Sequence, residues 1–106
     1  MISLSDRNLA QTFRDRLEKL IPLKRLIVFG SRARGDNDPE SDLDIFLEVQ
    51  EISPDMREKI YTLAWKLGLE NGLVITVFIA PSDQILHGML SANPLMKAIV
   101  KEGVAV

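Results

Sequence analysis

The chain has 106 residues, 46% hydrophobic and 26% charged, with a formal net charge of −2 and no cysteine. That describes one domain (1–106) with room for a single core, and it excludes a disulfide framework and any thiolate metal site. No apolar run approaches the ~20 residues of a membrane-spanning helix, and the start MISLSDRN lacks the basic and apolar segments of a secretory signal, so a cytoplasmic protein is the simplest expectation.

Charge is unevenly distributed. Residues 1–34 carry eight basic side chains against three acidic ones, whereas residues 36–58 carry nine acidic side chains against Arg57 alone. Duplex DNA binding is not expected from this balance, because a phosphate backbone needs a basic footprint that outweighs its acidic neighbours. A basic rim facing a polyphosphate or an acidic partner stays open beside the simpler reading of solvated helix faces.

In chain order, Ser5 reads as a helix N-cap, with Leu4 and Leu9 forming a hydrophobic staple. Leu9, Phe13, Leu17 and Leu20 then follow at helical spacing until Pro22. The apolar run Leu26 to Phe29, ending at Gly30, suits a strand covered on both faces. Residues 31–41, with Gly35 and the DNDPE cluster, read as a loop, and a second strand spans 43–49. Ser53-Pro54-Asp55 starts a helix whose apolar face is Met56, Ile60, Leu63, Ala64 and Leu67. Tyr61 and Trp65 lie off that stripe, as a second packing edge or an anchor for a partner. Asn71-Gly72 is a turn, 73–80 a third strand, and Pro81-Ser82 opens a helix to about Met89 with His87 on its surface. Asn93-Pro94 caps a last helix that Gly103 ends. The order α-β-β-α-β-α-α predicts an α/β (α+β) fold, a small mixed sheet of three or more strands with helices packed on it.

The chemistry is concentrated in GSRARGDNDPESDLDIFLEV, residues 30–49. In an extended strand Asp42 and Asp44 point the same way, and Leu43, Ile45, Leu47 and Val49 point the other. Two adjacent carboxylates repel unless a cation sits between them, and hard oxygen ligands favour Mg²⁺. Gly30 lets the backbone approach a ligand, and Ser31 adds a hydroxyl beside its own N–H. By themselves, two same-face aspartates read more often as a solvated strand edge than as a metal site.

Gly30-Ser31, ten residues, then Asp42-Leu43-Asp44, between two strands, resembles the nucleotidyltransferase superfamily of polymerase-beta-like fold. The small size is similar to its minimal branch, whose members accompany a HEPN-domain toxin as antitoxins. The resemblance implies that Gly30 and Ser31 bind the β- and γ-phosphates of ATP or another NTP. It also implies that Asp42 and Asp44 hold Mg²⁺ and that a nucleoside monophosphate passes to a hydroxyl, a tyrosine of the HEPN partner. Arg32 and Arg34 stand where guanidinium could meet the triphosphate, or else are loop charges, and Ser41 caps or orients the loop. The superfamily's third carboxylate matches Thr76, with Glu48 or Glu70 as substitutes only if the sheet bends them inward. That departure keeps open a catalytically weak member that regulates its partner by binding. Transfer to a small molecule such as an aminoglycoside is disfavoured by the lack of a second domain. An open, small site also suggests that a partner or a second copy completes the pocket.

Overall fold

The computed structural model describes residues 1–87 and 93–106, the side chains of 86 and 87 excepted. Helix α1 (Leu4–Glu18) buries Leu9, Phe13 and Leu17 along one stripe. Its cap is Ser3 rather than Ser5: the Asp6 N–H donates to Ser3 Oγ at 3.1 Å. Leu4 is exposed, so no staple forms with Leu9, and after α1 it is Ile21 rather than Leu20 that enters the core. The earlier cap sets Asp6 in the first turn, where the helix dipole favours an acid, and turns it inward.

Strand β1 (Arg25–Phe29) leads into a short helix α2 (Gly30–Arg34) where the sequence suggested loop. Gly35 ends it at φ 82, donating its N–H to the Ser31 carbonyl at 2.9 Å. Strand β2 (Leu43–Val49) returns antiparallel to β1, and helix α3 (Pro54–Asn71) follows, capped by the Ser53 hydroxyl as its sequence predicts. Gly72, at φ 68, stops α3. Strand β3 (Ile75–Pro81) then lies parallel to β2, as the crossover through a helix requires. Helix α4 (Ser82–His87) and helix α5 (Pro94–Glu102) complete the helices, and the two-residue β4 (Val104–Ala105) pairs with β1. The expected helix end near Met89 and the side chain of His87 lie outside the described residues.

The sheet runs β3-β2-β1-β4 and has two covered faces. On one face α1 and α3 pack over Leu26, Val28, Leu43, Ile45, Leu47, Val49 and Ile75. On the other, Phe29, Phe46 and Ala80 meet Met96 and Ile99 of α5. Between Asp44 and Glu48, β2 is therefore apolar on both sides, and Asp42 and Asp44 lie past the end of the α5 cover.

Arg32 corrects an expectation. Instead of facing a ligand it is 8% exposed, and its guanidinium is held inside the protein. Nη1 bonds both Asp6 carboxylate oxygens (3.1 and 3.2 Å), Nε bonds the Ser41 carbonyl (2.8 Å) and Nη2 the Pro39 carbonyl (3.0 Å). One planar fork thus ties α1 to the loop that delivers Asp42. Removing one partner of a buried pair strands the other charge, so Arg32→Met should lower unfolding stability by about 3–5 kcal/mol in urea titration. Arg34→Met, at an exposed side chain, should leave the midpoint close to the parent's.

Candidate functional site

Strand β2 is paired on both flanks, and the two registers converge on Asp44. It stands opposite Phe29 of β1, the residue before Gly30, and opposite Thr76 of β3. Gly30 has φ 77, and a Cβ there would run into the Asp44 carboxylate. Glycine is needed twice over, for the left-handed backbone and for the close approach. Thr76 Oγ1 donates to Asp42 Oδ2 at 3.1 Å, so one threonine sits beside both aspartates. Asp42 is exposed and Asp44 half-buried.

The electrostatics follow from that proximity. The Asp44 carboxyl is held above its ordinary range, first by burial, then by the neighbouring charge of Asp42, with Arg34 pulling weakly the other way. Two neighbouring carboxylates with a threonine hydroxyl beside them form an all-oxygen donor set suited to a hard divalent cation.

The remaining expectations divide. Ser31 follows Gly30 in the first turn of α2, and its carbonyl accepts from the N–H groups of Gly35 and Asp36. Arg34 is exposed, bonded to Asp36 (3.1 Å) and to Glu102 of α5 (2.9 Å), and close enough to act on Asp44. Arg32 is withdrawn into its buried pair, away from the position expected for it. Ser41 makes a turn bond from its N–H to the Asp38 carbonyl (3.2 Å) and gives its carbonyl to Arg32, which is the local loop role.

Neither substitute acid reaches the pair. Glu48 shares the strand face but lies four residues on, about 13 Å along β2. Its oxygens are taken by Arg25 (2.6 and 2.9 Å) and Ser82 (2.8 Å). Burial alone would raise its carboxyl, but those hydrogen bonds and Lys24 overcome this and hold it below the ordinary range. Glu70, at the far end of α3, is exposed and pairs with Arg16 at 3.7 Å. Among the described residues no three acidic or histidine side chains gather where they could hold a metal, so the site has two carboxylates and a threonine. Sequence reading missed Asp6, whose anchoring of Arg32 a Ser-x-x-Asp cap could have suggested.

The model of the family described as the nucleotidyltransferase domain matches residues 10–102. A putative protein adenylyltransferase of Methanocaldococcus jannaschii is 42% identical over 59 residues, 54% of this chain and 59% of that protein. The chain therefore spans about three-fifths of the curated relative it matches. Among solved structures, a mutant MntA–HpeT toxin–antitoxin complex is similar at TM-score 0.62 and 21% identity, over 91% of this chain and 69% of that one. A toxin–antitoxin with AMP-PNP is similar at 0.59 and 21%, over 90% and 70%. A tri-AMPylated Shewanella oneidensis HEPN toxin in complex with an MNT antitoxin gives 0.54 and 19%, over 94% and 70%. At these identities the structural likeness is one of fold. With the family model covering residues 10–102, the chain belongs to the nucleotidyltransferase domain family.

Proposed function

We propose that this chain transfers AMP from ATP to a hydroxyl of a partner protein, a tyrosine of a HEPN-type toxin, and so acts as an antitoxin. The observation that carries the reading is the meeting of Gly30, Asp42, Asp44 and Thr76 at one end of the sheet. The protein-adenylyltransferase name of the curated relative supports a protein acceptor. The AMP-PNP complex and the AMPylated HEPN toxin among the fold's neighbours support ATP and that partner class.

Each residue has a role in this reading. Asp42 and Asp44 would hold Mg²⁺, which when bound would neutralise charge on the triphosphate and its leaving pyrophosphate. The bare backbone at Gly30 and the Ser31 hydroxyl take the terminal phosphates. Arg34 meets the same phosphates by exchanging its carboxylate partners for them. The acceptor oxygen forms a bond to the α-phosphorus as the bond to pyrophosphate breaks. Its proton goes to solvent or to a group of the partner, because the strand facing the aspartates offers a threonine hydroxyl and no acid. That same observation favours a second reading, a slow or inactive member that silences its partner by binding.

Incubation with labelled ATP, Mg²⁺ and a HEPN-type partner should label the partner, and Asp42→Asn/Asp44→Asn should abolish labelling. If that variant still neutralises the partner as well as the parent does, binding alone is the activity. Thr76→Asp supplies the missing acid and should raise the transfer rate by about 10²-fold or more, the scale of a positioned base; an unchanged rate would remove the third-carboxylate assignment. Transfer should also respond to acid. Protons compete for Asp44 from above its ordinary range, so the rate should fall as pH drops through the raised value. Asp42→Asn, which removes the second cause of the shift, should move the Asp44 titration downward in carbon-detected NMR.

A further inference from the structure

Strand β3 is the outermost strand of the sheet among the described residues, and it is unusually unprotected. The run LVITVFIA, residues 73–80, contains no charge and no proline, the devices that keep edge strands from pairing. Of the nine large hydrophobic side chains exposed among the described residues, five border this strand: Tyr61, Trp65, Leu69, Val74 and Phe78. They line two depressions of about 220 and 230 Å³ that meet at Tyr61 and follow β3 along its length.

We propose that β3 pairs antiparallel with β3 of a second copy of this chain, centred on Val77, joining two four-stranded sheets into one. The backbone is set for it. Val74 turns its carbonyl inward to the Leu43 N–H (2.9 Å), so by alternation Ile75, Val77 and Ile79 aim their N–H and C=O groups outward. A register centred on Val77 pairs residues 74–80 of the two copies, makes Val77 and its copy a hydrogen-bonded pair, and leaves Pro81, which has no N–H to give, at the end of the ladder.

The occupant is a second copy because the strand is complementary to itself. Self-pairing sets no like charges opposite one another along 73–80. Two single charges also flank the strand centre: Arg57 lines the depression at Phe78, and Asp42 is bonded to Thr76. A two-fold axis at Val77 sets Phe78 of each copy opposite Thr76 of the other, and so brings Arg57 of each copy toward Asp42 of the other. The same register sets Phe78 of the second copy beside Thr76, on the face that carries Asp42 and Asp44. The second copy then walls an otherwise open site with an aromatic ring.

Because the chain has no cysteine and one tryptophan, the test is direct. The full chain in light-scattering chromatography should show twice the 11.9 kDa chain mass. Trp65 emission should shift to shorter wavelength as concentration rises. Oxidised Val77→Cys should form a cross-linked dimer, whereas Val74→Cys, whose own copy lies about 20 Å away in this register, should not. Val74→Lys/Phe78→Lys, at exposed positions, should weaken the dimer at least about tenfold with circular dichroism unchanged. A monomer at about 100 μM overturns the proposal, as does a dimer that cross-links at 74 rather than 77. A strand that binds only a different protein, with this chain monomeric alone, overturns it too.

Discussion

Strand β2 is hydrogen-bonded on both sides, and that double pairing is the constraint on which the site depends. A strand free on one flank could slip by a residue and turn its carboxylates to the opposite face. Here the antiparallel register with β1 and the parallel register with β3 both have to shift together. Leu43, Ile45, Leu47 and Val49 are fully buried beneath α1 and α3, so a slip would also drive four aliphatic side chains into the second face. Asp44 is therefore held against Gly30 and Thr76 by strand pairing and the core, with no side-chain hydrogen bond of its own among the described residues.

The two arginines of SRAR divide along the same line. Arg32 serves the fold, taking two loop carbonyls and a buried carboxylate, while Arg34 stays outside with partners it can exchange. Their sequence neighbourhoods are nearly the same. The difference lies in α2: once that turn is helical, residues two apart project in different directions, one toward α1 and the other toward α5.

Much of this was legible in the sequence, and the gaps have physical causes. The Ser53-Pro54-Asp55 start, the Gly72 stop and the alternation of β2 are local signals, and each stands where it was read. The cap of α1 was misplaced because two serines compete, and only the long-range bond from Asp6 to Arg32 decides between them. Strand β4 is two residues long, too short for any period to register, and it exists because β1 offers it an edge. Phe46 and Phe29 read as ordinary strand residues, yet they form a second core that only α5 completes. At the site, the shared face of Asp42 and Asp44 follows from alternation, and Thr76 from the superfamily resemblance. That Glu48 is fully engaged by Arg25 and Ser82 does not, since both partners come from other elements.

Glu48 and Asp44 occupy one face of one strand and answer acid in opposite senses. Folding lowers the Glu48 carboxyl, so its contribution to stability is whole above the ordinary carboxylate range and disappears as pH falls through the lowered value. Folding raises Asp44, so its contribution is whole below that range and disappears as pH climbs through the raised one. At neutrality the strand is thus anchored at one end and electrostatically loaded at the other. The load is stored where a counter-charge would discharge it.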